Sequence, residues 1–108
     1  MTEIETNDKD FQKDVVEKSN EIPVLADFWA SWCGPCRALS PVLEKVSKEY
    51  DGKIILAKIS TEENQEMAGK YGVMSIPSVK LFHKGEVKDE FTGAKSESEV
   101  KEFLDKNL

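Results

Sequence analysis

Apolar positions along the chain fall into blocks whose spacing switches between helix-like and strand-like. Between Asp8 and Ser19, Phe11, Val15 and Val16 stand among charged residues at helical spacing, which predicts an amphipathic helix after a short strand around Thr2 to Glu5. Ile22 to Ala30 is a β-rich run without clear polar alternation, the pattern of a central strand covered on both faces. From Pro35 onward, Leu39, Val42, Leu43, Val46 and Tyr50 mark one stripe of a long helix that ends near Asp51-Gly52. Pro41 lies inside that stripe and predicts a kink, because proline removes a backbone donor. Ile54 to Ile59 reads as a second buried strand, and Glu62 to Tyr71 as a short helix stopped by Gly72.

Ser78 to Phe82 and Glu86 to Thr92 flank Lys84-Gly85, so two antiparallel strands joined by a tight turn are predicted. Ser96 and Glu99 have capping-box spacing and open a helix carrying Val100, Phe103 and Leu104 on one face. This order of elements predicts an α/β domain with a mixed sheet. No repeat, low-complexity stretch or linker interrupts it, so residues 1–108 read as a single domain.

A length of 108 residues is enough to bury a core without disulfide staples, which leaves the two cysteines free for chemistry. With 39% hydrophobic and 33% charged residues the chain is of the soluble globular type, and no apolar run is long enough for a bilayer. A net charge of −6 without a basic stripe argues against nucleic acid as a partner. The opening MTEIETNDKD has neither a basic start nor an apolar stretch of signal-peptide type, which predicts a cytoplasmic protein. In a reducing cytosol a close cysteine pair points to catalysis more than to structure.

That pair lies in Trp32-Cys33-Gly34-Pro35-Cys36, between the central strand and the long helix. A thiol at the first turn of a helix meets unpaired N–H groups and the positive end of the peptide dipoles, which favour thiolate. Cys33 is therefore the expected nucleophile. Cys36 lies on the same face one turn later, placed to attack a mixed disulfide on Cys33 and release the reduced substrate. Gly34 leaves room for an incoming peptide, and Pro35 fixes φ near the helical value, so an open but stiff loop is expected. A zinc site would need four ligands, and His83 is the only other soft donor. A structural disulfide over so small a loop would stabilise the fold little. The chemistry requires no metal or organic cofactor.

Asp27 falls inside the apolar strand. An ionised carboxylate is costly to bury, so its proton should be held to near neutral pH, unless the strand alternates and solvates that face. Ile76-Pro77 precedes a strand, either as an ordinary trans turn or as a cis bond, which proline tolerates best.

Asp27-Phe28-Trp29-Ala30 leading into WCGPC, with Lys58, Ile76-Pro77 and Gly93 at matching spacings, resembles the thioredoxin family over nearly the whole chain. The resemblance implies the thioredoxin fold, a central mixed β-sheet flanked by helices on both faces. It also implies reduction of disulfides in client proteins, with the dithiol restored by a thioredoxin reductase drawing on NADPH or ferredoxin. By the same resemblance Asp27 is the acid/base partner of Cys36, Lys58 pairs with Asp27, and the Ile76-Pro77 bond is cis and faces the dithiol. Trp32, Gly34, Pro35, Ile76, Pro77, Gly93 and Ala94 then form an apolar substrate rim around Cys33, on a protein acting as a monomer. Trp29 is expected beneath the dithiol.

The chain departs from common family patterns at Ser60, Glu62, Met74-Ser75 and Ser78. Glutamate is a poor helix cap, so Ser60 or Thr61 is expected to cap the helix that follows. Met74 makes the loop beside the substrate groove more apolar and pliable. A Gly-Pro spacer resembles the reductants of the family, whereas a thiol oxidase or isomerase more often carries His there. A scaffold on the same fold with incidental cysteines is the reading from a different class.

Overall fold

Successive side chains along a strand point to opposite faces of a single sheet, and in the three central strands both faces are buried. The computed structural model describes residues 2–108. Strands β1 (Glu3–Glu5), β2 (Val24–Trp29), β3 (Ile55–Ser60), β4 (Ser78–His83) and β5 (Glu86–Thr92) lie in the order β1-β3-β2-β4-β5. β1 and β2 run parallel to β3, β4 runs antiparallel to β2, and β5 runs antiparallel to β4, so the sheet is mixed as expected.

Helices α1 (Gly34–Glu49) and α3 (Glu97–Asn107) share a core with one face, where Leu39, Leu43 and Val46 meet Leu25, Leu56 and Leu81. The opposite face buries Val24, Ala26, Phe28 and Phe82 against Phe11 and Val15, with Met67 of α2 (Gln65–Lys70) and Tyr71 at its C-cap completing the layer. Burying a side chain such as Phe28 or Leu25 contributes about 1.5–3 kcal/mol, and the central strands do so on each face. β2 is correspondingly buried from Val24 through Phe28.

The hairpin turns at Lys84 and Gly85, both at positive φ (54° and 83°), the geometry of a two-residue turn matched to strand twist. Ser96 accepts from the Glu99 N–H while Glu99 accepts from the Ser96 N–H, so the capping box of α3 is formed. α1 passes through Pro41 without a break; the proline sits on the exposed side of the helix.

Two helices differ from the sequence expectation. The first is shorter than Asp8 to Ser19: a π-type turn spans Gln12–Glu17 and a 3-10 turn spans Lys18–Asn20. Asn7 Oδ1 accepts from the Asp10 N–H at 2.8 Å, which holds the preceding residues in a turn. α2 begins at Gln65 instead of Glu62, because Asn64 Nδ2 donates to the Ser60 carbonyl and Glu62 is engaged elsewhere. Neither Ser60 nor Thr61 caps it. Thr61 Oγ1 bonds the Trp29 carbonyl, and the Asp8 carboxylate accepts from the N–H groups of Glu66 (3.1 Å) and Met67 (2.9 Å).

Candidate active site

Cys33 occupies the N-cap of α1, in extended backbone with φ −86° and ψ 114°, four residues after β2 ends at Trp29. The cap geometry directs the Cys36 N–H at Cys33 Sγ, 3.2 Å away. A sulfur in this position accepts one of the helix's unpaired donors and lies at the positive end of its dipole, an environment that favours negative charge. Both cysteines are free thiols.

The loop is fixed from two sides. Glu62 accepts from the Ser31 N–H at 2.7 Å and from its hydroxyl at 3.1 Å, and these bonds hold the Glu62 carboxyl below its ordinary range. Arg37 donates from Nη1 to the Ser31 carbonyl at 2.8 Å. Stiffness is therefore present, but openness lies at the rim and not at the sulfur. Cys33 is 4% exposed, because Ala30, Trp29 and Ile76 pack around the dithiol, whereas Trp32 is 69% exposed. Trp29 packs against the dithiol cluster as expected.

The Ile76-Pro77 bond is cis, and the Ile76 carbonyl lies 3.8 Å from Cys33 Sγ, within the range of a weak thiol hydrogen bond. Gly93, at φ +84°, donates to the Pro77 carbonyl at 2.9 Å, which seats the chain after β5 beside Ile76-Pro77. Trp32, Gly34, Pro35 and Ala94 are exposed, Ile76 and Gly93 half-buried, and Pro77 buried. Nothing among the described residues demands a glycine at position 34, since a Cβ there would meet only Arg37 Nη2 at 3.9 Å.

Beneath the dithiol, Asp27 and Cys36 line one cavity of about 190 Å³, together with Ser40 and Lys58. Asp27 is buried, and its Oδ1 has no hydrogen-bond partner among the described residues. Burial pushes its carboxyl from 3.8 up to about 7, opposed in part by the positive charge of Lys58. Burial also pushes the Cys36 thiol up to about 12, and its hydrogen bond with Cys33 adds to the rise.

Asp27 and Lys58 are register partners across β2 and β3, yet the lysine ammonium is paired with other groups and not with the Asp27 carboxylate. Lys58 Nζ bonds Ser40 Oγ at 2.6 Å and ion-pairs with Glu44, with Glu3 Oε2 at 3.9 Å. The expected pairing of Lys58 with Asp27 is thus a through-space influence and not a contact. Ser40 and Glu44 escaped the sequence reading. Their signal is the i, i+4, i+8 spacing of Cys36, Ser40 and Glu44 along one side of α1, beside its apolar stripe.

A dithiol at a helix N-cap, seated over a buried carboxyl at the end of a mixed sheet, defines a protein built for thiol–disulfide exchange. A family model described as Thioredoxin matches residues 2–106. The chain is 42% identical over 105 residues to Thioredoxin of Pseudomonas aeruginosa, covering 97% of this chain and 95% of that protein. It is 45% identical over 105 residues to Thioredoxin of Buchnera aphidicola, again covering 97% and 95%. Identity to Thioredoxin 1 of a Nostoc species is 38% over 104 residues, covering 96% and 95%. The chain belongs to the thioredoxin family.

Proposed function

We propose that this thioredoxin-family chain reduces disulfides in client proteins, with Cys33 as nucleophile and Cys36 as resolving thiol. The observation that carries the reading is the Cys36 N–H aimed at Cys33 Sγ across 3.2 Å, with a buried carboxyl on the same cavity as Cys36. In the first step the Cys33 thiolate attacks one sulfur of the client disulfide; a Cys33–client bond forms, and the other client sulfur leaves as thiolate and takes a proton from solvent. Cys36 then gives its proton to Asp27 and attacks Cys33 Sγ. The second client sulfur leaves, and the Cys33–Cys36 disulfide holds the two electrons' worth of oxidation. The negative charge on Cys33 that helps raise Cys36 is gone in the mixed disulfide, so the resolving thiol becomes easier to ionise when it is needed.

Asp27 acts as acid/base because its raised carboxyl can hold or release a proton near neutral pH, and Lys58 tunes it through space. The Ile76 main chain, beside Cys33, supplies hydrogen bonds to an extended client segment in the manner of strand addition. Trp32, Gly34, Pro35, Pro77, Gly93 and Ala94 complete the contact rim. The rim's small size and exposed Trp32 suit weak binding of many partners.

The 108 residues act as a single domain and as a monomer in the cytoplasm, where a thioredoxin reductase linked to NADPH or ferredoxin restores the dithiol. No helix among the described residues is long and apolar enough to cross a membrane. The test is catalytic reduction of a model protein disulfide by the intact chain and by Cys33→Ser. The intact chain turns over and the variant does not; turnover by the variant would remove Cys33 from the nucleophile's role.

A further inference from the structure

In the row of side chains that crosses the sheet beneath the dithiol, Glu5, Lys58 and Asp27 are register neighbours on β1, β3 and β2. An ammonium between two carboxylates in such a row would be expected to reach one of them. Lys58 instead reaches over to α1, where Ser40 Oγ accepts from its Nζ at 2.6 Å and the Glu44 carboxylate ion-pairs with it, while Glu3 of β1 lies farther off at 3.9 Å. Ser40 Oγ also donates to Glu44 Oε2 at 3.1 Å, closing a three-member clamp. The consequence is visible at Asp27, whose Oδ1 is buried with no partner although a cation lies on the adjacent strand.

We infer that Glu44, acting with Ser40, is a positioning residue for the resolving step: it holds the Lys58 ammonium off the Asp27 carboxyl and so sets how firmly that carboxyl keeps its proton. The inference rests on the reading of Asp27 as the proton acceptor of Cys36.

The charges around Asp27 are few. Lys58 comes from β3, Cys36, Arg37 and Glu44 from α1, and Glu3 and Glu5 from β1; the β4 partner in register is Val79, which carries none. Lys58 is the cation with the shortest route to Asp27, since the two are paired across adjacent strands. An opposite charge within about 4–6 Å of a carboxyl favours its ionised form by roughly 1–3 pH units. Keeping the ammonium on Glu44 limits that effect to the partial opposition that Lys58 exerts across the strands. The same ion pair holds the Glu44 carboxyl below its ordinary range, so the clamp stays charged wherever the dithiol works.

The experiment follows the Asp27 carboxyl by carbon-13 NMR across pH in the reduced full-length chain, in Glu44→Gln, in Lys58→Met and in the double variant. Glu44 is half-exposed, so the glutamine variant keeps the fold. The clamp predicts that Glu44→Gln lowers the Asp27 midpoint by about one pH unit. It also predicts that the same change made on the Lys58→Met background has no effect. The acid limb of the resolving step's pH–rate profile should move down with the midpoint.

An unchanged midpoint in Glu44→Gln overturns the inference. An equal drop on both backgrounds also overturns it, since Glu44 would then act as a distant charge and not through Lys58. Failure of the underlying reading looks different: Asp27→Asn would leave the resolving rate unaltered, while the four titrations would still decide the clamp.

Discussion

The Cys36 N–H donates to Cys33 Sγ across 3.2 Å, so the residue proposed to complete the exchange also supplies, from its backbone, a donor for the sulfur proposed to begin it. That bond belongs to the backbone, and replacing either side chain leaves the donor in place. The two roles can therefore be separated by substitution without dismantling the helix cap.

Asp27 destabilises the fold when ionised. Its folded-state midpoint lies near 7, against 3.8 in an unfolded chain. Between those values the folded protein holds a proton that the unfolded chain has released, so stability is full below pH 3.8 and declines as pH rises through 7. The full cost is on the order of 4 kcal/mol. Urea denaturation should show Asp27→Asn matching the parent at acid pH and exceeding it by about 2–4 kcal/mol above pH 8. Equal stability at both ends would mean the carboxyl is not held protonated. The same variant should slow resolution of the mixed disulfide.

Asp8 stabilises α2 from a distant part of the chain by accepting the N–H groups of Glu66 and Met67. Asp8→Ala should cost about 1–2 kcal/mol in urea denaturation and speed hydrogen exchange at those two amides. Disulfide reduction should be little changed, because α2 contributes no residue to the dithiol cluster.

Gly34 has no neighbour that a methyl group would strike, so its small size serves whatever approaches from outside. Gly34→Ala should keep stability within about 0.5 kcal/mol of the parent. Its KM for a protein disulfide should rise by roughly three- to tenfold, the equivalent of about 1 kcal/mol of lost contact. A fall in stability with no change in KM would place the glycine's role inside the fold.

Local chemistry was legible where both partners of an interaction are near in sequence. Lys84-Gly85 announced the hairpin, Ser96 and Glu99 announced a formed capping box, and Cys33 with Cys36 announced a dithiol at a helix start. Partners far apart in sequence were not legible. The cap of α2 comes from Asp8, which is 58 positions from the Glu66 N–H it binds, so the residues next to the helix, Ser60 and Thr61 among them, carry no sign of it. Lys58 sits in a strand whose register with Asp27 is readable, but which acid its flexible side chain chooses depends on Glu44 presented by α1. Exposure at the dithiol was misjudged for a related reason: the groups covering Cys33 include Ile76, 43 positions away at its carbonyl.

The division of labour between the two sulfurs is tested most directly by mixing Cys36→Ser with a disulfide-bonded client and mapping the product by mass spectrometry. The account predicts a stable covalent adduct joining Cys33 to one client cysteine, and no such adduct with Cys33→Ser. An adduct formed through Cys36 in the Cys33→Ser chain, with none through Cys33 in the other, would contradict it.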